Sequence, residues 1–132
     1  MSVIDDLKRH EGFRSHPYHC SEGFLTIGYG LNLDDGISEQ LAAKILEWTV
    51  QERESALSGM LSFWDNLTPA RKDVFLNMAF NLGIPRFLGF KKMLIAAQDG
   101  DITGVCREMQ DSKWARQVKG RADDLIERYR HG

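Results

Sequence analysis

A carboxylic acid, a thiol and a hydroxyl stand close together near the start of this chain. Eight residues separate Glu11 from Cys20 and five separate Cys20 from Thr26, all within the stretch His10–Gly30. Together such groups can protonate a leaving oxygen and place or activate a water. Glu11 closes a helical pattern in which Val3, Ile4 and Leu7 share its face, and Gly12 follows as a natural stop. The C-terminal end of a helix carries partial negative charge and disfavours a further one. That suits an acid that must hold a proton until it is needed. Taken alone, a Glu in this position is more often a solvated helix end. Cys20 could act as a thiolate base or nucleophile, or only help to hold a water; in isolation it would read as a small buried hydrophobe. Asp34 and Asp35 could supply a second carboxylate, but their Asp-Asp-Gly context reads as a turn. Thr26 lies opposite Leu25 by strand alternation. Its hydroxyl can hold a water or a ligand hydroxyl, although strand propensity alone also explains a Thr there. Gly28 and Gly30 either let a ligand approach the backbone or simply make a turn.

These side chains need a helix end and a small sheet to hold them. Residues 13–37 are punctuated by Gly23, Gly28, Gly30 and Gly36 among Tyr, Phe, Leu, Thr and Ile, which predicts a short meander or hairpin. Ser38 can cap a long amphipathic helix over 39–62, with Ala42, Ile45, Leu46, Thr49, Ala56, Leu57 and Met60 on its apolar stripe. Thr68-Pro69 is an N-cap followed by Pro at the first helical position. The helix it opens, Ala70 to about Leu82, is apolar on most sides and predicts a buried central helix, ended by Gly83 with Pro85 barring continuation. Further helices fit 87–98, 101–110 with Asp101 as cap, and 120–130. A helix, a small sheet and then many helices give an α+β class dominated by helix.

Composition bounds the rest. At 132 residues, 42% hydrophobic and 27% charged, the chain can build one core or two small lobes sharing a helix, and disorder is excluded. A net charge of −2 gives no global sign of a nucleic-acid binder. Residues 112–121 are locally basic, with Lys113, Arg116, Lys119 and Arg121 and no acid. The N-terminus has no apolar signal region and no segment long enough to span a membrane, so the expectation is cytoplasmic accumulation without membrane insertion. Two cysteines in such a chain predict free thiols.

The block from His10 to Gly30 resembles the catalytic segment of the T-even type phage lysozymes, the muramidase endolysins. Two further blocks resemble the same family in the same order. One is Arg71-Lys-Asp-Val-Phe-Leu-Asn-Met-Ala-Phe-Asn-Leu-Gly83 with Phe87-Leu-Gly-Phe90, and the other is Ser112-Lys-Trp-Ala-Arg-Gln-Val-Lys-Gly-Arg-Ala122. The resemblance implies a two-lobed lysozyme-like fold: a small β lobe over 13–37, a connecting helix over 39–62, and a helical lobe of 63–132 joined by 1–11. It implies hydrolysis of the β-1,4 bond between N-acetylmuramic acid and N-acetylglucosamine, with Glu11 as general acid and Cys20 and Thr26 handling water. Asn32, Phe80 and Asn81 fall on substrate-binding positions, and Asn77, Trp114 and Arg121 on supporting ones, Arg121 as the partner of Glu11. Read from the residues alone, Asn77 and Asn81 are polar positions on an otherwise apolar helix that either tie the core or face a polar cleft. The resemblance further implies a monomer without cofactor, acting on glycan strands and released to the wall through a separate holin-like pore. This chain departs from the family pattern at Cys20, where an Asp is better known, and at Leu31, where a His often follows Gly-x-Gly.

Three other readings compete. His16, His19 and Cys20, with His10 and Glu22 nearby, are possible zinc ligands, but no second ligand pair follows and Cys106 lies on an apolar helix. A wall-binding module on a decayed lysozyme fold needs no chemistry at all. A lytic transglycosylase needs only one carboxylate.

Overall fold

The computed structural model describes residues 2–132. Packing divides them at Ile45, with the preceding residues in one compact unit and Leu46–Gly132 in the other. Among the described residues there are eight α-helices and a three-stranded sheet, an α+β architecture dominated by helix.

In the first unit, α1 spans Val3–Glu11. The Ser2 hydroxyl accepts a hydrogen bond from the Asp5 amide, 3.2 Å. Asp5 and Asp6 in the first turn, and Lys8, Arg9 and His10 in the last, complement the helix dipole. Gly12 ends the helix as expected, at φ 71°, with its amide donating to the Lys8 carbonyl. The strands β1 (Arg14–His19), β2 (Leu25–Gly28) and β3 (Leu31–Asn32) follow as an antiparallel meander in the order β1-β2-β3. Pairing on β1 is irregular between Arg14 and Tyr18. Pro17 lies there and has no amide proton to give, which a bulged edge strand tolerates. Beyond β3 a 3-10 turn, Leu33–Asp35, is capped by the Asn32 side chain, whose Oδ1 accepts from the Asp34 amide. Asp34 in turn accepts from the Leu25 amide at 3.0 Å, so it fastens the turn to the start of β2.

The helix α2 runs Glu39–Met60, two residues short of the expected end, with the Ser38 hydroxyl accepting from the Leu41 amide. Of its predicted stripe only Leu57 is fully buried.

The core of the second unit gathers around α3 (Pro69–Leu82), which carries buried Val74, Phe75, Leu76, Met78 and Ala79. Thr68 caps it through a bond from the Arg71 amide. The Phe75 ring meets Phe87 edge-on at 5.4 Å and stacks on Tyr129 at 5.3 Å. The expectation of a helix buried on most sides needs correction. Asn77, Phe80 and Asn81 are exposed, and their i, i+3, i+4 spacing makes them one open face.

The rest of the unit is α4 (Ile84–Leu88), α5 (Lys91–Gln98), α6 (Ile102–Gln110), α7 (Lys113–Val118) and α8 (Gly120–His131). The single helix expected over 87–98 is two. α3 ends at Leu82 with Gly83 as its cap, as expected, and Pro85 then sits in the first turn of the separate helix α4, where its missing amide proton costs nothing. Asp101 caps α6 as expected, accepting from the Gly104 amide. The short α7, opened by the Ser112 hydroxyl, was not among the predicted helices. Both cysteines are free thiols, Cys106 buried and Cys20 half-buried. No described helix is long and apolar enough to cross a membrane.

Candidate active site

The first unit holds the three residues whose types suggested chemistry. Glu11 is the last residue of α1, and its side chain lies against the bare Cα of Gly30. A Cβ on Gly30 would stand 2.8 Å from Glu11 Oε2 and 3.0 Å from its Cδ. The helix end is held to the same turn by Phe13, whose ring lies 5.6 Å from that of Tyr29. On the other side, Lys8 Nζ stands 5.7 Å from the Tyr29 ring centre.

Thr26 sits on the middle strand, paired with Tyr18 on one side and Asn32 on the other. Residues directly opposite share a sheet face, so Tyr18, Thr26 and Asn32 form one cross-strand row. Thr26 is buried, at 4% exposure. Its hydroxyl donates to the Phe24 carbonyl at 2.9 Å.

Cys20 opens the connection from β1 to β2. Its amide donates to the Phe24 carbonyl, and its carbonyl accepts from Gly23, each at 2.9 Å. Its thiol is held below its ordinary pKa, first by hydrogen bonding from the Glu22 backbone. The Phe24 backbone and the Thr26 hydroxyl add to this, against partial desolvation and the Glu22 carboxylate charge. The structure therefore links Cys20 to Thr26 through the Phe24 carbonyl, which accepts from both, and Glu11 to the turn that leaves Thr26's strand. Asn32 spends its Oδ1 on capping, so its side-chain N–H groups are what it can offer a ligand. Among the described residues no three His, Cys, Asp or Glu gather as a metal site would require.

The second unit holds the other candidates on the open face of α3. Asn77 Oδ1 accepts two hydrogen bonds from Arg121, from Nε at 2.9 Å and from a terminal nitrogen at 2.7 Å. Asn81 Oδ1 accepts from the indole nitrogen of buried Trp114 at 2.8 Å. Trp114 also meets the Phe90 ring edge-on at 6.4 Å. Phe80, 46% exposed, shares with Leu46, Val50, Leu76, Asn77 and Arg121 the wall of an open cavity of ≈ 390 Å³. Asn77 and Asn81 thus bind neighbouring side chains while lying on an exposed face. Sequence reasoning missed the Glu11–Gly30 contact and the Phe13–Tyr29 clamp. The one signal for them was the Gly-x-Gly spacing, which was equally good evidence for a turn.

The family model described as phage lysozyme matches residues 8–131. The chain belongs to the phage lysozyme family. Three similar proteins bear family-related or phage-related names. The endolysin of Acyrthosiphon pisum secondary endosymbiont phage 1 is 29% identical over 90% of this chain and 82% of its own. "Probable T4-type lysozyme 1" of Dictyostelium discoideum is 27% identical, covering 95% and 91%. The pre-baseplate central spike protein Gp5 of Enterobacteria phage T4 is 28% identical over 92% of this chain, which spans only 26% of that much longer protein. Membership of the phage lysozyme family supports a lysozyme-type function lytic for peptidoglycan.

Proposed function

We propose that this phage lysozyme homologue is a muramidase, hydrolysing the β-1,4 bond between N-acetylmuramic acid and N-acetylglucosamine in peptidoglycan. The observation that carries this reading is Glu11 at a helix end, seated against Gly30, in the same small unit as Cys20 and Thr26, whose amide and hydroxyl both donate to the Phe24 carbonyl. Glu11 gives its proton to the glycosidic oxygen as the bond breaks. Cys20 and Thr26 place or activate the water that completes the reaction. A thiol held below its ordinary range supports a part for Cys20 in accepting the water's proton. Asn32, Phe80 and Asn81 contact the glycan, with Asn77 and Trp114 bracing the α3 face. In this reading the protein works as a monomer, endolysin-like, and reaches the wall through a separate holin-like pore.

The test is release of reducing sugar from purified peptidoglycan by wild type and Glu11→Gln, side by side. Release by wild type with a loss of about 10²–10⁴-fold in the variant is the expected result, the usual worth of general acid catalysis. Anhydro sugars among the products would instead identify a transglycosylase, and folded but inactive wild type a binding module. The resemblance also pairs Arg121 with Glu11. Arg121→Ala should then lower activity more than Asn77→Ala, which removes only the side chain that holds Arg121; equal or negligible losses would refute the pairing.

A further inference from the structure

We infer that the turn Gly28-Tyr29-Gly30 positions the Glu11 carboxyl, with Gly30 as a positioning residue for the proposed reaction; the catalytic part of this inference rests on Glu11 being the acid. The two glycines of the turn differ in a way that separates turn-making from positioning. Both have positive φ, 68° at Gly28 and 81° at Gly30, where an L side chain is strained whatever the space around it. At Gly28 an added Cβ meets nothing within 4 Å, so the backbone conformation alone accounts for that glycine. At Gly30 an added Cβ would fall within 2.8–3.3 Å of three Glu11 atoms, Oε2, Cδ and Cγ. Those atoms belong to an exposed, flexible side chain, so they can swing aside at little energetic cost. The consequence is a displaced acid in a protein that still folds.

Tyr29, between the glycines, explains why the turn and the helix end keep their distance. Its ring holds Phe13, just beyond α1, and Lys8, one turn before Glu11. The close approach of Gly30 is therefore spent on the enzyme's own acid, leaving ligand approach at this glycine unnecessary as an explanation.

The experiment compares Gly28→Ala, Gly30→Ala and Tyr29→Ala in the full-length protein. Three readouts are taken: thermal unfolding, kcat and KM on soluble glycan, and the carboxyl ¹³C resonance of Glu11 followed through a pH titration. The two glycine variants should lose comparable thermal stability, because both force alanine to positive φ. Of these two, only Gly30→Ala should move the Glu11 resonance. It should also lower kcat by about 100-fold, the scale of a ~1 Å misplacement of a reacting group, with KM within twofold of wild type. Tyr29→Ala, which strains no backbone and loses only an exposed ring, should move the same resonance and reduce kcat by a smaller factor. An unmoved Glu11 resonance in both Gly30→Ala and Tyr29→Ala overturns the inference, as does a kcat loss in Gly28→Ala equal to that in Gly30→Ala. If wild type releases no sugar, the muramidase reading fails while the resonance still decides whether the turn places Glu11. Should Gly30→Ala not fold, Tyr29→Ala decides.

Discussion

Asn81 is assigned to the glycan by family position, yet the structure gives its oxygen to an indole. The consequence can be measured. Trp114 is 3% exposed, and its N–H donates to Asn81 Oδ1 at 2.8 Å. An indole nitrogen is a donor only, so Asn81→Ala leaves that buried N–H without its acceptor. The cost of such an orphan is about 1–3 kcal/mol. Near the midpoint a chain of this length unfolds with an entropy of roughly 0.28 kcal/mol/K, at ~2.1 cal/mol/K per residue. The expected fall in Tm is therefore about 4–11 °C by that scaling. Trp114→Phe removes the donor and shrinks the ring, so it lowers Tm by itself. In that background Asn81→Ala deletes an exposed amide with nothing left to serve, and should cost under ~0.5 kcal/mol, the range of ordinary surface changes. Thermal unfolding of wild type, both single variants and the double variant gives the coupling, expected at about 1–2 kcal/mol. Additive losses would refute the reasoning, since they would mean that the 2.8 Å bond carries no energy and that Asn81 answers only to the ligand.

The two thiols should react unequally: Cys20, half-buried and held below its ordinary pKa, should label with a disulfide reagent within minutes at pH 7. Cys106, buried and pushed up by desolvation, should wait for unfolding; equal rates would contradict both environments. The Tyr129 phenol is pushed up to about 12 by burial. Its folded pKa lies above the unfolded value of 10, so the unfolded chain sheds the proton first. Stability is then intact below pH 10 and lost as pH rises toward 12, by roughly 3 kcal/mol at ~1.4 kcal/mol per pK unit. Tyr129→Phe should remove most of that alkaline loss in a pH series of urea melts, and an unchanged alkaline limb would assign it to other groups.

Where the sequence spoke through local chemistry it was readable. Ser2, Ser38, Thr68, Asp101 and Ser112 all cap helices through their own side-chain oxygens, and three of those caps were anticipated because an N-cap is a two-to-three-residue event. Gly12 and Gly83 stop helices for an equally local reason. The failures arose where a local rule met a tertiary choice. Pro85 marks the end of α3 correctly, but nothing local says that it also opens a new helix, α4. The 70–82 helix reads as buried on most sides until the face with Asn77, Phe80 and Asn81 is seen to be open. At the candidate site, Glu11, Cys20 and Thr26 were singled out by type, spacing and the resemblance to the phage lysozymes. Asp34's hold on Leu25 and Gly30's contact with Glu11 join residues nine and nineteen positions apart through a turn, and no periodicity encodes such a meeting.

The Phe24 carbonyl accepts two hydrogen bonds, one from the Cys20 amide and one from the Thr26 hydroxyl, each at 2.9 Å. A hydroxyl has a single proton, and Thr26 spends it on that carbonyl while the thiol is neutral. When the thiol ionises, the hydroxyl can rotate to face the sulfur, and the carbonyl still keeps its bond from the Cys20 amide. The carbonyl is therefore never left without a partner by the exchange. The site thus carries a one-atom rotor. Ionisation of Cys20 then leaves every backbone hydrogen bond of the loop where it was.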